Sequence, residues 1–109
     1  MSEHFYETLK KHELEIHFDP RMAVPEHPRF RAERDKVSAR VRRTLKSFFD
    51  VPYGTSSREL LDIFPSDAPD SPVLVYIHGG YWRGGSKEEN SFLAETFVRA
   101  GITVVVMEY

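Results

Sequence analysis

Two continuous apolar runs constrain this chain more than anything else in it. Val73–Ile77 is bounded by Pro72 and Gly79, and residues 102–107 follow Gly101. A strand that is apolar at every position is expected where a parallel sheet is covered on both faces. Between the runs, Ser86-Lys87-Glu88-Glu89 matches a helix-opening capping box, with serine at the N-cap and glutamate at N3. The spacing then predicts a helix burying Phe92, Leu93, Thr96, Phe97 and Ala100, closed by Gly101 at C′. Strand, helix and strand in this order make a parallel unit with a right-handed crossover. The expected class is therefore α/β.

The first half is less regular. From Glu13 to Phe18 polar and apolar residues alternate, which predicts a short strand or an extended arm. Pro20, Pro25 and Pro28 are expected to break regular structure. Phe30, Val37, Val41, Leu45 and Phe48 then recur at helical spacing, a stripe on one amphipathic helix. Residues 50–53 suit an edge strand, where Pro52 is tolerated, and residues 59–64 a second strand antiparallel to it.

Composition excludes several classes. Of 109 residues, 40% are hydrophobic and 29% charged, a globular balance and enough chain for one domain. Residues 1–49 form an N-terminal arm and helix; residues 50–109 carry the strands and the crossover. A formal charge of −2 gives no general attraction to nucleic acid or anionic lipid. Arg29, Arg31, Arg34, Lys36, Arg40, Arg42, Arg43 and Lys46 crowd one segment, but no base-reading side chains are interleaved, so a solvated helix face is expected. The absence of cysteine removes thiolate catalysis and thiolate metal sites. His12 and His17 lie five apart, off the spacing that puts two ligands on one helix face, so no metal and no cofactor is expected. A polar N-terminus and apolar runs too short to span a bilayer make the cytoplasm the simplest location and predict no membrane partner.

The chemistry is concentrated after the first apolar run, at His78-Gly79-Gly80-Tyr81-Trp82. A pair of glycines lets a turn adopt conformations that a Cβ forbids and aim several N–H groups into one concavity. Fixed donors of this kind stabilise a developing oxyanion. The turn also sits at the carboxyl end of a parallel strand, where open α/β sheets bind ligands.

These residues resemble the oxyanion loop of the α/β-hydrolases, and more closely the His-Gly-Gly-x-Trp motif of kynurenine formamidases (arylformamidases). Asp19-Pro20-Arg21 with Val24-Pro25 resembles that family's Asn-Pro-Arg and Val-Pro segment, with aspartate in place of asparagine. Residues 50–54 and 61–64 resemble its first two strands. The resemblance implies the N-terminal part of an α/β-hydrolase domain, a three-layer sandwich when complete. It implies hydrolysis of an aryl formamide or related small-molecule amide or ester through an acyl-enzyme. Oxyanion donors would be the N–H groups of Gly80 and Tyr81. His78 would shape the loop, and Tyr81 and Trp82 would either wall the substrate or simply pack. A homodimer stays open as an assembly.

The nucleophile is not among these residues. None of the serines 2, 38, 47, 56, 57, 66, 71, 86 and 91 stands in Gly-x-Ser-x-Gly, and no histidine follows His78. The triad is expected beyond Tyr109, on a sheet whose next strand would pair with Val73–Ile77, and the chain alone is expected to be inactive and poorly soluble. Two other readings compete. One is a non-catalytic interaction module completed by a partner chain. The other is a phosphate or nucleotide loop at residues 80–87, but the order Gly85-Ser86-Lys87 puts the lysine one place late.

Overall fold

The apolar runs do form neighbouring parallel strands. The computed structural model describes residues 4–109; residues 1–3, part of the polar N-terminus, lie outside the described residues. The chain divides into two compact units, Met1–Ala32 and Glu33–Tyr109.

In the first unit the expected extended arm is helical. Helix α1 covers Lys11–Phe18. Its lysine, glutamate and leucine residues favour helix, and Glu13 Oε2 accepts the Lys10 N–H at 2.7 Å. That local bond outweighs a few residues of alternation. Helix α2, Pro20–Ala23, starts on a proline: Asp19 Oδ1 accepts the Arg21 N–H at 2.9 Å, and Pro20 stands where no N–H is needed. Pro28 likewise sits in the first turn of α3, His27–Thr44. Two of the three prolines thus open helices; the expectation that they break structure is corrected.

In the second unit a four-stranded mixed sheet has the order β1-β2-β4-β3. The strands are β1 Phe48–Pro52, β2 Leu60–Phe64, β3 Val73–Ile77 and β4 Thr103–Met107. As expected, β1 lies at an edge antiparallel to β2, and β3 is parallel to β4. Pairing of β2 with β4 is antiparallel. One sheet face carries Asp62, Phe64, Tyr76, Val104 and Val106, and α3 and the crossover helix α4 (Ala94–Arg99) pack there through Val41, Ala94 and Val98.

Three expectations are corrected here. First, β3 is not covered on both faces: Val73, Val75 and Ile77 are more than half exposed, because β3 is an edge strand and the helices of this unit lie on one side. Second, the α3 stripe is Val37, Ser38, Val41 and Leu45; Phe30 is exposed and Phe48 belongs to β1. Third, the segment after Ser86 is a turn and a 3-10 turn, Ser91–Leu93, before α4 begins. The Ser86 Oγ still accepts the Glu89 N–H at 3.3 Å. The tighter winding shifts the phase, so Ser91, Leu93, Ala94 and Val98 face the core while Phe92, Thr96, Phe97 and Ala100 are exposed. Gly101 closes α4 as expected: its N–H donates to Val98 O and the Ile102 N–H to Phe97 O, the two bonds of a Schellman cap.

The helix face of the sheet also holds charge. Asp62 is fully buried. It accepts from Arg42 Nη1 of α3 and from the Asp50 N–H at the β1 bulge. Lys87, only 2% exposed, places its ammonium 3.1 Å from Asp62, 2.8 Å from Asp50 and 2.6 Å from Glu88. The basic segment is therefore not merely a solvated face. Arg42 turns inward over the Phe49 ring, and Arg34 and Arg40 pair with Glu89 and Glu95.

Burial opposes the Lys87 charge, but hydrogen bonds to Asp50, Glu88 and Asp62 outweigh it and hold its pKa above the ordinary value. The Asp50 carboxyl is held low chiefly by its bond to Lys87. Burial raises Glu88, and the Lys87 bond more than reverses this. Depressed carboxylates stabilise the fold above their unfolded pKa of about 4 and lose that contribution as pH falls through the lower folded values. Lys87→Met should thus cost about 3 kcal/mol at neutral pH, the loss of one partner from a buried pair. Urea titrations at descending pH should show the gap between variant and parent narrowing below about pH 4. In the same assay Val41→Ala should cost about 2 kcal/mol, whereas Phe30→Ala should stay within about 0.5 kcal/mol.

Candidate active site

Residues 78–87 form the loop that leaves the carboxyl end of β3. Register explains what lies beside it. Ile77 pairs with Met107, so His78 and Glu108 emerge side by side. Both side chains leave on the helix face, and both are buried, at 3% and 7% exposure. His78 Nε2 lies 2.8 Å from Glu108 Oε1. On the other side of the ring, Nδ1 lies 2.8 Å from the Gly79 carbonyl, which can only accept, so Nδ1–H donates there. The imidazole stacks on Tyr109 at 4.5 Å, and the Tyr109 hydroxyl donates to His78 O at 2.7 Å. Both ring nitrogens are occupied, so neither is available to take a proton from a nucleophile.

The turn itself is strained. Gly80 has φ +136°, and a Cβ there would fall 1.8 Å from Gly84 O. Only glycine fits. Tyr81 and Trp82 follow at φ 53° and 56°, left-handed conformations that cost a residue with a Cβ roughly 1–2 kcal/mol each. The Arg83 N–H closes the turn on Gly80 O at 2.9 Å. Among the described residues, neither the Gly80 N–H nor the Tyr81 N–H has a hydrogen-bond partner. Consecutive strained residues of this kind cluster where a turn serves a ligand rather than the fold.

Beside the turn is a cavity of about 350 Å³, lined by Arg58, His78, Trp82, Arg83 and Tyr109 among others. Tyr81 and Trp82 are about four-fifths exposed and pack edge to face against one another. Trp82 lines the cavity; Tyr81 does not. Arg58 donates to Glu108 Oε1 at 3.0 Å and to Tyr109 O at 2.9 Å.

Glu108 is the centre of this site and was not singled out by its sequence context. Oε1 faces His78, Arg58 and the Tyr109 N–H; Oε2 accepts the Lys87 N–H at 3.2 Å. Burial alone would raise its pKa, but the bond with His78 foremost, and those from the Tyr109 and Lys87 N–H groups, hold it below the ordinary carboxylate value. A sequence signal existed for its counterpart Asp62. It stands two residues before the core residue Phe64 in a strand, hence on the buried face, where a charge requires a partner. Lys87, weighed as a phosphate-loop lysine, faces carboxylates instead and is closed off from solvent.

No helix among the described residues is long and apolar enough to cross a membrane. No family model matches the chain. A candidate thioesterase from a Silicibacter species has the same fold over 84% of this chain and 36% of its own, with a TM-score of 0.76 at 22% identity. In sequence, the chain is 37% identical to a kynurenine formamidase of Danio rerio and 33% identical to one of Salmo salar, each over 95% of this chain. A Drosophila melanogaster kynurenine formamidase is 36% identical over 52% of it. The chain spans 38% of the length of either fish protein. Over that span it is a homologue of the kynurenine formamidases, with an α/β mixed sheet and helices.

Proposed function

We propose that this chain supplies the oxyanion-hole half of an α/β-hydrolase that cleaves an aryl formamide, or a related aryl amide or ester, through an acyl-enzyme. The observation that carries the reading is the pair of unpartnered amides at Gly80 and Tyr81, held in a strained turn at the carboxyl end of a parallel strand. A tetrahedral intermediate seated there would place its oxyanion against both N–H groups, with Trp82 beside the aryl group. Donors fixed before the reaction cost no reorganisation when charge develops. His78 does not act as base in this scheme, since both of its nitrogens are engaged. Nucleophile, acid and base are assigned to sequence beyond Tyr109. The strand bearing the nucleophile would pair with the free edge of β3, and the bare face of Val73, Val75 and Ile77 would take a second helical layer. The kinship with kynurenine formamidases supports hydrolase chemistry of this type.

Gly80→Val tests the assignment, because any Cβ collides with Gly84 O and displaces the turn. In the full-length protein, stopped-flow hydrolysis of para-nitrophenyl acetate should show kcat lowered by about a hundredfold. An unchanged kcat in a folded variant rejects the oxyanion role. The 109-residue chain alone should show no turnover of that ester; turnover by the purified chain would mean that a nucleophile lies within it.

A further inference from the structure

Loop 78–87 leaves the sheet at His78 and returns at Lys87, and one carboxylate holds both ends. We infer that Glu108 is the positioning residue of the oxyanion turn, acting through His78 at one side of the loop neck and the Lys87 N–H at the other; the inference rests on the oxyanion reading above.

The geometry is specific about how this works. Strand β4 is the most buried of the sheet, with Val104 and Val106 fully enclosed, so Glu108 projects from the most rigid support available. Its Oε1 fixes the imidazole, whose Nδ1–H in turn fixes the Gly79 carbonyl. That carbonyl belongs to the peptide whose nitrogen is Gly80 N, so its orientation sets where the Gly80 N–H points. Oε2 fixes the Lys87 N–H, and the Lys87 ammonium is locked on Asp62 and Asp50. Without the clamp, a turn carrying two left-handed residues and a glycine at φ +136° would relax toward less strained conformations. Donor placement governs oxyanion stabilisation, and about 1 Å of misplacement can cost about a hundredfold in rate.

Glutamine cannot replace this carboxylate. Three N–H donors and the His78 ring nitrogen converge on its two oxygens, and in either rotamer of a glutamine the amide NH₂ meets at least one of those N–H groups. Glu108→Gln therefore opens the neck at constant volume. In the full-length protein it should lower kcat for para-nitrophenyl acetate by about tenfold or more while KM stays within about twofold, the signature of an interaction expressed in the transition state. Unchanged kcat in Glu108→Gln, with Gly80→Val impaired, overturns the positioning role and leaves the oxyanion reading standing. Unchanged kcat in both variants removes the oxyanion reading and this inference with it. A raised KM at constant kcat would assign Glu108 to substrate binding and also overturns it. If Glu108→Gln does not fold, His78→Phe carries the test. It keeps a ring against Tyr109 and removes both nitrogens, so a fall in kcat at constant KM supports the clamp and an unchanged kcat rejects it.

Discussion

A buried ammonium needs partners, and the placement of Lys87 organises the unit around it. Its three carboxylates come from β1, β2 and the adjacent Glu88, and Asp62 brings in Arg42 from α3. One cation thus ties the sheet, the long helix and the loop after β3 to a common point. An apolar residue of similar volume could pack there, but it would leave the buried Asp62 with Arg42 as its one cationic partner and the Asp50 carboxylate without its ion pair. Removing one member of such a set leaves its partners' charges behind in the interior, which is why the set is costly to break.

The loop inherits that fixity. Lys87 sets one end of it and His78 the other, and Glu108 joins them across the neck. Ser38 adds a further joint, donating to Glu89 O and accepting the Phe92 N–H, both at 2.9 Å. Strain in residues 80–82 is sustainable because the segments on either side have so little freedom. Rigid neck and strained tip are one arrangement, since a tip that holds two amides unpartnered cannot be stable by its own hydrogen bonding.

Much of this fold was legible in the residues, for identifiable reasons. Val73–Ile77 and the run after Gly101 are strands at the expected positions, and β1 and β2 pair antiparallel, because apolar runs between proline and glycine leave few alternatives. Local competition defeated the reading elsewhere. Glu13 capping turned an alternating segment into α1, and the 3-10 turn before α4 rotated the apolar stripe away from Phe92 and Phe97. The turn His78 to Trp82 was conspicuous as a motif, but what holds it was not. Glu108, Lys87 and Asp62 are brought together from positions 21 to 46 residues apart by the β2-β4-β3 order, and spacing along a chain carries no trace of that.

The same strand order bears on how a nucleophile could reach the turn. Beta-3 is flanked by β4 on one side only. On that side His78, Glu108 and Tyr109 form a hydrogen-bonded and stacked group behind the turn. The opposite edge of β3 is unpaired, and Tyr81 and Trp82 are exposed. In the reading proposed above, a nucleophile carried on a strand added at that edge would approach the Gly80 and Tyr81 amides from there. Such a strand, if parallel, would bring its carboxyl end to the same end of the sheet as the turn. In that reading the clamp behind the turn keeps the donors fixed before charge develops, the preorganisation on which oxyanion stabilisation depends.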